Sequence, residues 1–518
     1  MGSSPGSFVR VTTTDTTHTF ALPRSAPADV GIPAAGLHAL LDALDQSGLE
    51  LHSLMVLRHG QVAAEGWWAP YSRNRVHLLY SLSKSFTSTA VGFAVAEGLV
   101  ALEDRIVDLL PDHVPADVDP VVATLTLHDV LSMSTGHRED TLERAWALEP
   151  HDLAKGFMRL PPEEPVGSRH AYNNTCTYLA GLVVQERSGE FLLDYLRPRL
   201  LEPLGIEPGR WDADEHGNAL GFSGLHQRTE DLARFGQLLL QKGRWQERQL
   251  LPQGWVELAT RKHIDNDLDP AGNIDWRQGY GYQYWMAQHG FRGDGAYGQF
   301  CVVVPEADLV VITTACVEDM QGILTAVWTQ LLPSLDTTDD GESASAAELL
   351  DRLGALALPI VVPEMDGGRT PVTFTAPGTT DAAYAGPSPV LSVTADAPLA
   401  AGATVTVRPD GVDTVLDIAI GDVRLTVPCG RDHWAEGRLG EHAGASRGSR
   451  GMPPMQPTPV VCRGGWTSAD TFEADLVLIE TPHRIRLLGK EVGGSAVLES
   501  AWNAVPLNGA RLEAHLPR

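Results

Sequence analysis

Apolar residues recur with helical spacing in the middle of the first two thirds of the chain and in strand-like patterns at both ends of that region. The predicted helices cover 37–47, 81–98, 127–133 and 140–146, with Asp140 as a candidate cap, and two more follow Tyr172 and the cap Thr229. The predicted strands form a hairpin over 53–68 and continue at 279–285, 299–304 and 309–314. Strands that enclose helices in this way indicate one sheet built from both ends, and therefore an α+β domain.

The pattern changes in the last third of the chain. An acidic segment at 336–345 precedes a predicted helix over 346–356, and short strands separated by Gly, Pro and Asp follow from about 369 to 518. We therefore predict an irregular lead-in at 1–29, an α+β domain at 30–335, a linker with a short helix at 336–368, and an all-β barrel or sandwich at 369–518. The Gly-, Arg- and Pro-rich stretch 441–458 is predicted to be a loop of the last domain.

Composition limits the classes of function. The 518 residues are 43% hydrophobic and 20% charged, which is typical of a soluble protein of two or three domains. A formal net charge of −27 disfavours binding to nucleic acid and to anionic membranes. The five cysteines are far apart along the chain, so we expect buried free thiols rather than disulfides; they are Cys176, Cys301, Cys316, Cys429 and Cys462.

Several familiar signals are missing from the sequence. The eighteen histidines include no His-Glu-x-x-His pattern, and we expect neither a metal nor a cofactor. There is no cationic and apolar leader and no uncharged apolar run of 18 residues, so we predict a cytoplasmic location. The pattern Gly444-x-Ser446-x-Gly448 lacks a preceding buried strand and a following apolar helix, so Ser446 is not assigned as a nucleophile.

The stretch Ser81-Leu-Ser-Lys84 is the strongest candidate for chemistry. The chain has only five lysines, and this is its only Ser-x-x-Lys pattern. A serine and a lysine three residues apart on a helix lie on one face, within reach of each other. If that face is desolvated, the lysine becomes neutral more easily and can take the serine proton. The same four residues are also compatible with an ordinary solvated helix start, so the pattern needs support from elsewhere in the chain.

Two further motifs supply that support. Tyr172-x-Asn174 lies about ninety residues after the serine, directly before an apolar helix, and Gly293-Asp294-Gly295 precedes a strand. Ser-x-x-Lys, Tyr-x-Asn and a glycine-ending triplet in this order resemble the serine β-lactamase and penicillin-binding protein superfamily, in particular its class C, esterase-like branch. The segments 131–137, 224–236 and 279–285 share the resemblance, which covers roughly 30–330.

The resemblance implies a fold and a role for each residue. A mainly antiparallel sheet flanked by helices would stand beside a helical lobe, with Ser81 in the cleft between them. Ser81 would attack a carbonyl carbon, while Lys84 and Tyr172 share the proton, either as neutral lysine beside phenol or as ammonium beside tyrosinate. Asn174 would hold the lysine and the acyl-side oxygen of the substrate. The backbone N–H groups of Ser81 and Ala296 would form the oxyanion hole.

The third motif departs from the family pattern. Its first position usually carries Lys or His, which meets a substrate carboxylate or assists proton transfer, and here that position is Gly293. Either the neighbouring Arg292 supplies the charge or nothing does. The sequence is compatible with two roles for Asp294, a turn-forming residue or a substrate contact. The departure favours esters or amides that lack the carboxylate of β-lactams.

We therefore predict a serine hydrolase that acts on carboxylic esters or small amides, with weak or no β-lactamase activity. The alternatives are a D-amino-acid-directed peptidase, a peptide-cyclising thioesterase of the penicillin-binding type, and a non-catalytic binding protein that retains the fold. The expected partner is a small-molecule or peptide-like acyl substrate, with no nucleic acid and no membrane. The β-domain is expected to shape access to the cleft or to mediate self-association.

Overall fold

The computed structural model describes residues 21–267, 273–337, 342–365, 369–377, 397–440, 457–507 and 509–516. Most of the predicted lead-in, Ser446 and most of the predicted loop 441–458 lie outside these ranges. The helices in the described residues are α1 (Ala34–Gln46), α2 (Ser83–Ala96), α3 (Ile106–Leu109), α4 (Leu127–Leu131), α5 (Leu142–Leu148), α6 (Leu153–Met158), α7 (Asn174–Ser188), α8 (Leu192–Leu196), α9 (Glu202–Leu204), α10 (Thr229–Leu240), α11 (Trp255–Ala259), α12 (Met320–Ala326) and α13 (Glu342–Gly354).

The strands of the described residues fall into two groups along the chain. The first group contains β1 (Leu51–Arg58), β2 (Gln61–Trp67), β3 (His77–Leu78), β4 (Arg210–Trp211), β5 (Leu225–Gln227), β6 (Arg244–Trp245), β7 (Arg248–Gln249), β8 (Trp285–Met286), β9 (Phe291–Gly295), β10 (Gln299–Val304) and β11 (Leu309–Ala315). The second contains β12 (Val372–Thr375), β13 (Thr404–Asp410), β14 (Asp413–Ile420), β15 (Val423–Cys429), β16 (Ala435–Leu439), β17 (Thr458–Trp466), β18 (Thr471–Val477), β19 (Arg484–Val492) and β20 (Ser495–Trp502).

A six-stranded antiparallel sheet in the order β2-β1-β11-β10-β9-β8 forms the centre of the first domain. Its middle strands are buried on both faces because helices cover each side. In β10, Val302 and Val304 face a core shared with α1, whereas Cys301 and Val303 face a core shared with α2 and α10. This two-sided burial explains the continuous apolar runs in the sequence. The sheet joins strands from both ends of the region, so the α+β prediction is confirmed.

The helical lobe is built around α2 and α7. Both helices are buried over most of their length, so neither has a clear polar face. Most hydroxyl side chains of α2 avoid the cost of burial through hydrogen bonds; for example, Thr89 donates to the carbonyl of Ser85 at 2.9 Å. The start of α2 lies against β9 of the sheet, and the start of α7 faces the start of α2. Two helix starts therefore meet at the edge of the sheet.

The second domain is a nine-stranded sheet in the order β15-β14-β13-β12-β20-β19-β18-β17-β16. Its edge strands β15 and β16 lie beside each other, and a bridge between Gly430 and Arg463 helps to close the sheet into a barrel. Phe374, Trp466 and Phe472 fill its interior. The all-β prediction is confirmed as a nearly closed barrel.

The barrel packs directly on the first domain through the turn between β18 and β19. The carbonyl of Glu480 accepts from the N–H of Leu78 at 2.8 Å, and the carbonyl of Thr481 accepts from the Tyr71 hydroxyl at 3.0 Å. Arg484 pairs with Glu50 at 2.6 Å. Leu78 lies three residues before Ser81, so this contact reaches the segment that leads into the candidate serine.

Some local predictions need correction. The N-cap of α10 is Arg228 rather than Thr229, whose hydroxyl donates to Ser53 at 2.8 Å instead. Within the predicted strand 279–285 only Trp285 is part of a strand, because Gly279 and Gln283 have φ angles of 111° and 66° that interrupt an extended chain. The helix predicted from 346 begins at Glu342 and packs on α1. No helix in the described ranges combines the length and apolar character needed to cross a bilayer.

Candidate active site

Ser81 lies in a single 3₁₀ turn, Tyr80–Leu82, directly before α2. The turn is tied on both sides: the N–H of Leu79 donates to the carbonyl of Leu225 at 2.9 Å, and the hydroxyl of Ser83 donates to the carbonyl of Tyr80 at 2.6 Å. Tyr80 has a φ of 47°, which is rare outside glycine. The serine is therefore presented on a constrained turn, just outside the regular helix in which the sequence placed it.

Lys84 is 1% exposed and its Nζ atom makes three short contacts. Nζ lies 2.7 Å from Oδ1 of Asn174, 3.0 Å from the carbonyl of Phe222 and 3.0 Å from Oγ of Ser81. The amide and carbonyl oxygens can only accept, so they take two N–H groups. In the neutral amine, the third direction is then the lone pair, and it faces the Ser81 hydroxyl. Burial lowers the pKa of Lys84 to about 7, against the opposing effect of nearby carboxylates.

Asp140 fixes the orientation of Asn174. Its carboxylate accepts from Nδ2 of Asn174 at 2.6 Å and from the backbone N–H of the same residue at 3.0 Å. The amide nitrogen is thereby turned away from Lys84 and Oδ1 is turned toward it. Asp140 also accepts from the N–H of Leu142 at 3.1 Å, but the N-cap of α5 is Thr141, so the predicted cap lies one residue too early. The sequence indicated only this capping role, because a carboxylate before a helix is common.

Tyr172 completes the group around the serine. Its ring stacks on Trp285 with centroids 5.2 Å apart, Nζ of Lys84 lies 4.7 Å from its ring centroid, and Ser81 is near enough to its hydroxyl to oppose the rise in its pKa. Burial, reinforced by the negative charge of Asp294, raises the pKa of Tyr172 well above its ordinary value. Of the two microstates that the sequence left open, neutral lysine beside a phenol is thus favoured over ammonium beside tyrosinate.

Arg292 is fully buried and engaged with other groups. Its Nε donates to Asp294 at 3.0 Å, its Nη1 donates to the carbonyl of Asp275 at 2.9 Å, and its guanidinium lies 4.3 Å from the ring centroid of Trp276. It therefore presents no exposed charge to a substrate. Asp294 is also buried, and burial raises its pKa despite the pairing with Arg292. The strand position of Asp294 shows that it is not a turn residue.

The two glycines of the third motif lie in close packing, Gly293 against side chains and Gly295 against a backbone carbonyl. A Cβ atom on Gly293 would lie 2.5 Å from both Cδ1 of Leu82 and Oγ of Ser85, and one on Gly295 would lie 2.0 Å from the carbonyl oxygen of Leu79. Position 293 therefore faces the start of α2 and has no room for the Lys or His of the family pattern. Ala296 directly follows β9, and its N–H remains a predicted oxyanion donor.

Gly293→Ala is expected to destabilise the protein by about 1–3 kcal/mol, because the added methyl group forces β9 away from α2. The same shift would displace the serine turn and lower activity. Gly354→Ala provides a matched control, since a Cβ there meets no atom within 4 Å. Thermal unfolding of both variants tests the prediction. Equal melting temperatures for Gly293→Ala and the wild type would contradict it.

Two groups that contact Lys84 and Asn174 were not predicted as site residues. Phe222 contributes only a carbonyl oxygen, which any residue could supply, so no sequence signal marks it. Asp140 lies between the first two motifs, 34 residues before Asn174, and its contact with that side chain depends on how α5 and α7 pack. The sequence showed a carboxylate at position 140, but it did not show that this carboxylate pairs with the side chain of Asn174.

A serine whose hydroxyl faces a buried lysine at a helix start, at the edge of an antiparallel sheet, is typical of proteins with the β-lactamase fold. The chain belongs to the Beta-lactamase family, whose model matches residues 37–315, more than half of its length. The family resemblance inferred from the three motifs is thereby confirmed.

Several relatives are hydrolases or penicillin-binding proteins. The chain is 24% identical over 319 residues to the 6-aminohexanoate-dimer hydrolase of Paenarthrobacter ureafaciens, an alignment that covers 57% of this chain and 81% of that one. It is 25% identical over 349 residues to penicillin-binding protein 4 of Amycolatopsis lactamdurans, covering 59% and 85%. Among solved structures, EstCE1, a hydrolase with promiscuous acyltransferase activity, aligns with a TM-score of 0.48 and 17% identity over 57% of this chain and 98% of that one.

Proposed function

We propose that the protein is a serine hydrolase that forms an acyl-enzyme on Ser81 and acts on carboxylic esters or small amides. The observation that carries the proposal is the set of contacts around Nζ of Lys84. Two acceptors, Asn174 and Phe222, occupy its N–H groups, so a neutral amine directs its lone pair at the Ser81 hydroxyl. This is the arrangement that a general base needs beside a nucleophile.

The reaction follows from this arrangement. Oγ of Ser81 bonds to the carbonyl carbon, its proton passes to Lys84, and the carbonyl π electrons move to the oxygen. The N–H groups of Ser81 and Ala296 stabilise that oxyanion. As the intermediate collapses, the bond to the leaving group breaks, Tyr172 protonates the departing alcohol or amine, and Lys84 reprotonates the phenol. Water then repeats the steps on the acyl-enzyme and releases the acid with Ser81 restored.

The third motif supports a substrate without a carboxylate near the scissile bond. Gly293 has no side chain, packing leaves no space for one, and the charge of Arg292 is buried and paired. An anionic group bound there would meet Asp294 without a free cation to compensate it. Esters and amides without that group avoid this cost, and we expect β-lactams to react slowly. The name of one relative, 6-aminohexanoate-dimer hydrolase, is compatible with an amide substrate for this chain.

The test combines labelling with a substrate panel. We expect a fluorophosphonate to add one adduct to the intact protein, and peptide mapping to locate it on Ser81 rather than on Ser83 or Ser85. Among a nitrophenyl ester, a D-aminoacyl anilide and a chromogenic cephalosporin, the ester should turn over fastest and the cephalosporin slowest. Fastest turnover of the anilide would favour a D-amino-acid-directed peptidase. The absence of both an adduct and turnover would favour a non-catalytic binding protein.

A further inference from the structure

We propose that the C-terminal barrel contributes a positioning residue to the hydrolase site: His483 holds Tyr80 and so fixes the backbone N–H of Ser81 in the oxyanion hole. This inference rests on the proposed function. It assigns to the barrel a part in positioning the catalytic turn, which differs from the shaping of access or self-association expected from the sequence.

The contact between His483 and Tyr80 has a defined direction. Nδ1 of His483 lies 3.0 Å from the carbonyl of Ala504, and a carbonyl can only accept, so Nδ1 carries the proton. In a neutral imidazole Nε2 is then the acceptor, and the Tyr80 hydroxyl donates to it at 2.5 Å. Burial lowers the pKa of His483 to about 3, so the ring is neutral at any ordinary assay pH and Nε2 can accept from the Tyr80 hydroxyl.

The other predicted oxyanion donor has a similar neighbour. Tyr297 directly follows Ala296, and its hydroxyl donates to the carbonyl of Val505 in the barrel at 2.5 Å. The rings of Tyr80 and Tyr297 lie 5.6 Å apart, and that of His483 lies 5.9 Å from the first and 5.4 Å from the second. One small region of the barrel, formed by the residues before β19 and after β20, thus contacts the residues next to both predicted donors.

Backbone conformation explains why such support is needed. Tyr80 and Tyr297 have φ angles of 47° and 67°, in the left-handed region of backbone conformation that residues other than glycine rarely adopt. Such a conformation is strained and persists only where the surroundings of the residue hold it. Both tyrosines are held through their hydroxyl groups by the barrel. Releasing Tyr80 would let the turn relax and move the N–H of Ser81.

The remainder of the domain interface does not depend on His483. Arg484 pairs with Glu50 at 2.6 Å, Asn503 donates to the same carboxylate at 3.1 Å, and Tyr71 donates to Thr481. These contacts would keep the barrel docked when the imidazole is replaced. Loss of the His483 contact should therefore act locally on the serine turn, and appear in kcat rather than in KM.

The experiment uses the full chain and four variants. His483→Phe removes the acceptor, Tyr80→Phe removes the donor hydroxyl, and His483→Gln keeps an acceptor oxygen. His515→Phe is the matched control, because His515 also packs on Trp502 in the barrel but donates through Nε2 to the carbonyl of Gly509 rather than bonding to Tyr80. With a nitrophenyl ester, we expect His483→Phe and Tyr80→Phe each to lower kcat by about 10–100-fold with KM changed less than about twofold.

The double variant His483→Phe/Tyr80→Phe should have a kcat no lower than that of either single variant, because both remove the same hydrogen bond. The kcat of His483→Gln should lie between those of His483→Phe and the wild type. The kcat of His515→Phe should stay near that of the wild type. Equal kcat in His483→Phe and the wild type, or a loss that His515→Phe shares, would overturn the inference. The ¹⁵N shifts of the His483 ring in wild type and Tyr80→Phe report the hydrogen bond independently of activity, and unchanged shifts would also overturn it. A wild type without adduct or turnover would overturn the proposed function, and with it this role, even if those shifts show the bond.

Discussion

Ser81→Ala is expected to abolish turnover of every ester and amide that the wild type hydrolyses. Loss of an active-site nucleophile lowers kcat by about 10⁴–10⁶-fold, because the remaining groups have no atom to form the acyl-enzyme. The fluorophosphonate adduct should disappear with it. Intact-mass spectrometry after labelling and initial rates with a nitrophenyl ester measure both effects on the same preparation. The fold should persist, since Ser81 is only partly buried.

Ser88→Ala is the matched control for this variant. Ser88 lies on the same helix α2 and is buried, but its hydroxyl has no hydrogen-bond partner in the described part of the chain. Removing it should leave labelling and turnover unchanged. If Ser81→Ala retained the turnover of Ser88→Ala, another residue would be the nucleophile and the proposed mechanism would fail.

Lys84→Met is expected to lower kcat/KM by about 10²–10⁴-fold, the usual contribution of a general base. Its pKa is lowered to about 7 by burial, so the lysine is an ammonium below that pH and cannot take the serine proton. In the wild type, kcat/KM should therefore rise with pH and level off above an apparent pKa of about 7. In Lys84→Met this limb of the profile should be missing.

A surface lysine serves as the comparison. Lys242 is 70% exposed, pairs weakly with Glu257 at 3.9 Å and lies outside the candidate site. Lys242→Met should keep both the rate and the pH profile of the wild type. A rising limb with the same midpoint in Lys84→Met would show that a different group controls the reaction.

Local spacing predicted the features that depend on local geometry. Ser81 and Lys84 are three positions apart, and their side chains meet at 3.0 Å as residues on one face of a helical turn do. The strands predicted at 299–304 and 309–314 match β10 and β11 closely, because both are continuous apolar runs of strand length. The α+β class and the all-β second domain followed from the pattern of helices and strands. The arrangement of sheet and helical lobe followed from the family resemblance, which depended on three motifs in the correct order.

Contacts between distant segments could not be read from the sequence. Arg292 lies on a strand whose residues are all buried, so no alternation of polar and apolar positions showed where its guanidinium would go. The absence of a side chain at Gly293 was visible, but the reason for it is the approach of α2. The pairing of Asp140 with Asn174 likewise depends on packing between helices that the chain places far apart.

The contact between Tyr80 and His483 joins residues 403 positions apart, and this separation has a consequence in time. At roughly 5–20 residues per second, a ribosome needs ~20–80 s to travel between them. Once Tyr172 has been added, and for the rest of that interval, the nascent chain contains Ser81, Lys84 and Tyr172 but not the residue proposed to hold the serine turn. With His483 in that role, a chain still being made, or one cut short before the barrel, lacks the contact that fixes the Ser81 N–H, and we expect full hydrolase activity only after the barrel has been added.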